Sequence, residues 1–515
     1  MTVSGANEIQ AVAILTPGDE QMAVARVSLA RGTMLNHGDR QIVLASDIPR
    51  GHRFALRELP KGELLRQFGY PIALSRGISQ GELLTADNSE ASIPAPALSD
   101  FVAPTATRLV KALQERTFMG YRRADNRFGT RNYYLVIPTS MCAAETARQV
   151  AARLDEEACG TFAKLDGVVA IPHTEGCGCA SPGQIDRLLA VLTGFMRHPN
   201  VGGCMVIDLG CEQSDRARLQ GVLGGGGVSC LKPVDWLTIQ QSGGTGATIS
   251  QAMSIIRGRL PQVAAVRRES CPLSGLLLGT ECGASDAFSG ITANPVVGDV
   301  ADQVIRGGGG AILSEIPEML GTYAMLFSRF RTLEVAQKFQ QAVDWYLDLA
   351  QTLGLNISDN LVPKNIAGGL FNSYLKSLGA VLKGGTTAIE EVIGYGEPAC
   401  GTGLSIMQGP GGDLESVTGL VSSGANLICF TTGYGAVSGS AICPVIKVSS
   451  TTETWQAMPD DIDFNAGRML DGETRTSLAD ELLELLVEVA SGRQTATERL
   501  KQRQFQVWTA GKLSL

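Results

Sequence analysis

Residues 274–295 read SGLLLGTECGASDAFSGITANP, an apolar run that breaks at once into carboxylate, thiol and hydroxyl side chains. A short apolar run bounded by small residues reads as a strand buried on both faces, the kind found in parallel sheets. The polar residues that follow then stand at its carboxyl end, where open parallel sheets bind their ligands. The same layout recurs upstream. The run at 133–137 leads into PTSMC (138–142), that at 167–171 into HTEGCGC (173–179), and that at 203–207 into DLGCE (208–212). Further strands are expected at 311–313 and 426–430, with amphipathic helices at 146–156, 184–197, 250–259, 300–306, 332–353 and 478–491. Strands alternating with helices specify an α/β fold with largely parallel sheets.

At 515 residues the chain exceeds a single core, and its composition divides it. Residues 1–88 hold short strands at 11–15, 23–29, 41–44, 53–56 and 70–78, punctuated by Gly and Pro, which makes a compact β module. Residues 89–117 lack apolar periodicity and read as a linker. A Rossmann-like α/β domain carrying the Cys and His loops is expected over 118–355. A composition break near 354–363 then starts a C-terminal α/β domain over 356–515.

Forty-three basic residues against 51 acidic ones give a net charge of -8 without long single-sign runs, which argues against a nucleic-acid partner. No secretory leader and no apolar run of about 20 residues is visible, so the expected location is the cytoplasm, with no membrane partner. In that compartment the 12 cysteines are expected as thiols, serving metal ligation, catalysis or packing. Cys159, Cys204, Cys230, Cys271, Cys400, Cys429 and Cys443 read as packing residues. Cys142, Cys177, Cys211 and Cys282 stand at four strand ends instead, which implies convergence on one site. Thiolate, imidazole and carboxylate donors together suit iron or zinc, and three cysteines also suit an iron–sulfur cluster.

Of four histidines, His173 lies at a strand end two residues from Glu175, and His52 follows a glycine in the β module. Either is placed to act as a ligand, and His173 also as an acid or base. Ser285, Asp286, Ser289, Thr292 and Asn294 offer polar groups to polyol hydroxyls, with Glu315 nearby; the alternative is that they cap helices.

Several blocks resemble the altronate and galactarate dehydratase family over nearly the whole chain. They are IPRGHRFAL (48–56) with Lys61, Gly62 and FGYPIA (68–73), GYRRADNRFGTRN (120–132), HTEGCG, DLGCE, ECGASDAFSGITANP, LSEIPEM (313–319) and DIDFNAG (461–467). The first resembles that family's N-terminal β-clip, or SAF, module. The resemblance implies an iron-dependent hydro-lyase that turns an aldonate or aldarate into a 2-keto-3-deoxy acid. Two blocks depart from the sugar-acid enzymes. SDNLVPKNIAGG (358–369) keeps only Lys364, Gly368 and Gly369 of an N-P-S-P-G-N-K run and its Gly pair, and TTGYGAVSG (431–439) has Tyr434 where they carry arginine.

Such a reaction removes the proton next to a carboxylate and expels hydroxide, and Fe²⁺ assists both steps by holding the carboxylate and polarising the leaving group. The resemblance and the loops together give a ligand pool of His52, His173, Cys142, Cys177, Cys211 and Cys282, for mononuclear iron or an iron–sulfur cluster. His173, Glu212 and Glu281 are the acid–base candidates. Arg122, Arg131, Lys364 and Lys447 are candidates for the substrate carboxylate. A homo-oligomer acting on a small sugar acid is expected. The alternatives are a carbon–sulfur lyase acting on a sulfo-hydroxy acid, an electron-transfer iron–sulfur protein, and a non-catalytic sugar-acid-binding protein.

Overall fold

The computed structural model describes residues 7–16, 21–91, 98, 101–102, 116–178, 181–225, 231–356 and 360–510. Most of the expected linker, Cys179 and Cys230 lie outside them, as does the side chain of Cys159. The N-terminal module consists of small three-stranded sheets built from pieces such as Met34–His37, Arg40–Val43, Arg53–Ala55, Leu64–Gln67 and Tyr70–Ser75. Leu35, Ile42, Phe54, Leu65 and Ile72 of these strands are buried; Arg40–Val43 gives one face to a core, whereas Arg53–Ala55 is buried throughout. Residues 9–12 form a helical turn where a strand was expected, and the pairing strand is only Ala13–Ile14.

The next sheet contains β1 (Tyr133–Pro138), β2 (Gly167–Ala170), β3 (Val201–Asp208) and β4 (Val234–Thr238), in the order β2-β1-β3-β4 and all parallel. Its two faces follow the strand period of two. Tyr134, Val136, Met205 and Ile207 pack on Val150 and Leu154 of α1 (Met141–Thr161) and on Ile256 and Leu260 of α3 (Thr245–Ala264). Leu135, Ile137, Cys204 and Val206 face Leu188 and Leu192 of α2 (Pro182–Arg197). β4 was not foreseen, because VDWLT carries an acid and is only half-buried.

The C-terminal sheet has seven parallel strands: β5 (Leu277–Gly283), β6 (Gly310–Leu313), β7 (Ile389–Ile393), β8 (Gly403–Met407), β9 (Leu427–Thr432), β10 (Val445–Ser449) and β11 (Phe464–Asn465). Their order is β7-β8-β6-β5-β9-β10-β11. This corrects the expected boundary near residue 355. β5 and β6 hydrogen-bond into the same sheet as β8 and β9, so the domain break falls before β5, at the antiparallel pair Thr117–Arg122 and Glu269–Pro272. The polar composition at 354–363 follows the end of α5 (Leu333–Thr352) and marks no domain break. Helix α4 (Ala293–Arg306) buries Val297, Val300 and Val304 in the same core as Leu482 and Leu486 of α8 (Arg475–Ala490). Among the described residues no helix is long and apolar enough to cross a membrane.

His198, at the end of α2, ties the two α/β domains together. Its Nε2 lies 2.9 Å from the Ala425 carbonyl and its Nδ1 accepts the Asn200 amide at 3.1 Å. Burial pushes its pKa from 6.5 down to about 3. The unfolded chain therefore binds more protons than the folded one below about pH 6.5, and stability is lost as the pH falls. From pH 6.5 to 5 this one ring should cost about 2 kcal/mol. Urea unfolding of wild type and His198→Gln at the two pH values should show that much less pH dependence in the variant.

Candidate active site

β5 and β6 end side by side, and their carboxyl ends bring three donors together. Cys282 lies near the end of β5, with Sγ 3.5 Å from Glu318 Oε2 and 3.8 Å from Glu315 Oε2. All three side chains are buried, and one donor atom from each lies within 4.8 Å of the others. Glu315 leaves β6 at φ 75°, a left-handed conformation that costs a non-glycine residue about 1 kcal/mol or more. That turn starts the short helix Ile316–Met319 and brings both glutamates to the thiol. Two lysines from the α6 (Ser373–Val381) region close the group. Lys383 Nζ, fully buried, is 2.5 Å from Glu315 Oε2, and Lys376 Nζ is 2.7 Å from Glu318 Oε1.

A second wing lies beside it. Glu281, Phe430 and Lys447 are register partners across β5, β9 and β10, so they share one face of the sheet. Ser416 Oγ, from α7 (Asp413–Ser422), donates to Glu281 Oε2 at 2.5 Å and lies 2.8 Å from Ser314 Oγ, from which it can accept. Lys447 Nζ sits 3.2 Å from the Phe430 ring centroid, and among the described residues it has no hydrogen-bond partner, nor do Glu281 Oε1 and Glu315 Oε1. Three buried polar atoms without partners close to one donor group mark a place built to receive something.

The electrostatics agree. Burial and then the Glu315 charge push both Glu281 and the Cys282 thiol well above their ordinary values. Burial lifts Glu315 to about 7 against the pull of Lys383. Burial would raise Glu318 too, but Lys376 and Lys383 outweigh it and hold its carboxyl low. Burial lowers Lys447 to about 7, opposed by Asp413 and Glu281. Without a cation the site therefore stores protons on a thiol and a carboxyl, which a metal ion would displace.

The N-terminal module supplies the far wall. Gly51 (φ 84°) meets the C-terminal domain so closely that a Cβ there would lie 2.9 Å from the Gly368 carbonyl. This contact carries Arg53 inward, where its Nε donates to Gln67 Oε1 at 3.0 Å and its Nη1 to the Gly369 carbonyl at 2.9 Å. Arg53, Gln67, Ser285, Asp286, Asn294 and Lys376 line a narrow cleft of about 10 Å³ between the N-terminal module and the C-terminal domain.

Among the described residues the expected six-ligand pool does not converge, and of it only Cys282 joins a donor group. His173 is held by the backbone at both nitrogens, with Nε2 2.9 Å from the Pro138 carbonyl and Nδ1 accepting the Glu175 amide. Burial keeps it neutral, with a pKa of about 4. His52 is half-buried at the module interface, its Nδ1 3.3 Å from its neighbour Arg50's carbonyl. Cys142, Cys177 and Cys211 lie beyond the other sheet, at the ends of β1, β2 and β3. Glu212 is tied up there by Thr139 and by the backbone amides of residues 209–211.

The cationic candidates also divide. Arg122 pairs with Glu269 on the surface, Arg131 is buried against Glu498, and Lys364 stacks on Tyr434. Only Lys447 adjoins the centre. In the hydroxyl-rich loop, Asp286 accepts from Ser289 and Ser450, Thr292 donates to backbone carbonyls without capping the helix that it precedes, and Asn294 bridges Gly379 and Thr431, so these groups are engaged within the protein. Ser285, Asp286, Ser289 and Asn294 nevertheless face the cleft. Glu318, Lys376, Lys383 and Arg53 were not foreseen. Lys383 had a signal, being a lone cation in the otherwise apolar and glycine stretch GAVLKGG (379–385).

Three family models match in succession: the altronate/galactarate dehydratase SAF domain over residues 10–92, the D-galactarate dehydratase/altronate hydrolase second domain over 120–264, and the D-galactarate/altronate dehydratase C-terminal domain over 273–513. The chain is 32% identical to an altronate dehydratase of Escherichia coli, covering 96% of this chain and 98% of that protein. It is 33% identical to the E. coli galactarate dehydratase (L-threo-forming), over 90% of each. It is also 32% identical to a (2R)-sulfolactate sulfo-lyase subunit beta of Chromohalobacter salexigens, over 76% of this chain and 97% of that one.

Proposed function

The chain belongs to the altronate/galactarate dehydratase family and is a hydro-lyase, and from that premise we propose that it removes water from an aldonate or aldarate in an iron-dependent reaction, releasing a 2-keto-3-deoxy acid. The observation that carries the proposal is the convergence of Cys282, Glu315 and Glu318 at the carboxyl ends of β5 and β6. A thiolate with two carboxylates suits iron, and the orphaned Oε1 of Glu315 fits a cation beside it. Cys282, Glu315 and Glu318 would hold Fe²⁺, which supplies Lewis acidity toward the substrate carboxylate and the departing hydroxyl.

The rest falls to the chain. Arg53 faces the cleft as a fixed guanidinium and orients a carboxylate. Lys376 bridges cleft and centre and neutralises charge as the enediolate develops. Glu281 presents a protonated carboxyl to the leaving oxygen, and Lys447, the neighbouring amine on the same face, takes the proton from the carbon beside the carboxylate and passes one back to Glu281, so that water is the net loss. The test is anaerobic assay of the iron-loaded chain against altronate, galactarate and other sugar acids, with ketoacid detection. Ketoacid from at least one is expected; none from any, with the iron retained, overturns the reading.

A second reading follows from the sulfo-lyase relative and from Tyr434: the leaving group is sulfite from a sulfo-hydroxy acid. Sulfite release in the same assay would select it. For either substrate, Arg53→Met should raise KM about tenfold or more while kcat changes far less, because the guanidinium binds ground and transition states alike. Steady-state kinetics check this.

A further inference from the structure

The loops after β1, β2 and β3 bear Cys142, Cys177 and Cys211, and they are bound into one knot whose every tie lies within three residues of a cysteine. The Met141 amide donates to the Glu175 carbonyl at 2.8 Å, and the Gln213 amide to the Gly176 carbonyl at 3.1 Å. Gln213 Nε2 donates to the Gly178 carbonyl at 2.9 Å, and Ser214 Oγ bridges the Thr139 and Gly176 carbonyls. The Glu212 carboxylate, buried behind the loops, collects Thr139 Oγ1 at 2.5 Å and the amides of Leu209, Gly210 and Cys211. Two of the cysteines directly follow a glycine in the left-handed region, Gly176 at φ 91° and Gly210 at φ 117°. At Gly176 a Cβ would lie 2.4 Å from Ser214 Oγ and 2.5 Å from the Thr139 carbonyl, so the crossing is closed to any other residue.

This framework aims thiols outward. Cys142 and Cys211 are exposed and Cys177 half-buried, whereas Cys204, Cys271, Cys282, Cys429 and Cys443 are buried. A single tetrahedral ion held by three thiolates would draw their sulfurs to about 4 Å apart. Among the described residues the three do not form such a group within 4.8 Å. A cluster that places a separate iron behind each thiolate holds the sulfurs farther apart than that, which three loops tied to one another can meet. The N-terminus of α1, where Cys142 is the second residue, adds a favourable field for a negatively charged cluster.

We propose that Cys142, Cys177 and Cys211 are three thiolate ligands of an iron–sulfur cluster seated on the second domain. The cluster is additional to the iron at Cys282 and does not depend on it. The experiment is anaerobic reconstitution of the full chain with ferrous iron and sulfide, followed by acid-labile sulfide and the visible absorption spectrum. Wild type should hold labile sulfide, and Cys142→Ser, Cys177→Ser and Cys211→Ser should each lower it at least about tenfold. Cys400→Ser and Cys282→Ala should leave it unchanged, so loss of the Cys282 iron is read separately. Maleimide labelling mapped by mass spectrometry needs no variant: Cys142 and Cys211 should be protected in the reconstituted chain and reactive after chelation. Absence of labile sulfide in wild type, wild-type sulfide in the three serine variants, or equal labelling with and without cluster would each overturn the proposal.

Discussion

Cys282→Ala and Glu318→Gln should each lower kcat/KM by about 1,000-fold or more while the chain keeps the unfolding transitions of wild type, because a Lewis acid contributes several kcal/mol to such a transition state. The two variants should differ in bound iron. Cys282→Ala removes a soft donor from a buried site, and iron should fall to background. Glu318→Gln keeps an oxygen donor but loses the charge held low by Lys376 and Lys383, so binding should weaken rather than vanish. Their stability should differ in the opposite sense. The glutamine leaves Lys376 beside an uncharged partner, at a cost of about 1–3 kcal/mol. Kinetics, iron analysis and urea unfolding on the same preparations check all three.

Arg131→Met should be the most destabilising single change outside the site. Arg131 is 1% exposed and makes a two-pronged pair with Glu498, Nε to Oε1 at 2.5 Å and Nη2 to Oε2 at 2.8 Å. It also donates to the carbonyls of Thr130, Val489 and Arg493. One side chain therefore closes the ends of α8 and the following turn against the second domain. Removing one partner of a buried pair leaves the other charge uncompensated, at a cost of about 3–5 kcal/mol. The double variant Arg131→Met, Glu498→Leu should recover part of that loss, which a purely steric effect would not do. Differential unfolding by fluorescence and circular dichroism would follow it, since more than one transition is expected in a multidomain chain.

The α/β architecture was legible because β1, β3, β5 and β9 are continuous apolar runs that end in polar loops. β7 and β8 were not: IEEVI carries two acids at half-buried positions, and GLSIM is short and glycine-led. The domain boundary was misplaced for a related reason, since composition reports loops whereas membership of a sheet depends on pairing. At the site, thiols at four strand ends implied one centre, whereas Cys142, Cys177 and Cys211 follow strands of one sheet and Cys282 lies in a strand of another. Cys282 finds its partners in Glu315 and Glu318 of its own sheet. His173 was drawn in by position, and its role is set by two backbone contacts that no spacing reveals. Lys376 and Lys383 reach the centre only through the packing of α6, and Arg53 only through docking of the N-terminal module.

Whether an iron at Cys282 drives turnover is decided by metal removal and return. The chain, stripped by chelation and refilled anaerobically, is assayed for ketoacid release from a sugar acid that it turns over, with Cys282→Ala carried in parallel. Turnover that disappears with the metal, returns in proportion to added Fe²⁺ in wild type and does not return in the variant is the predicted result. Undiminished turnover in the stripped chain, or full recovery in Cys282→Ala, would contradict it.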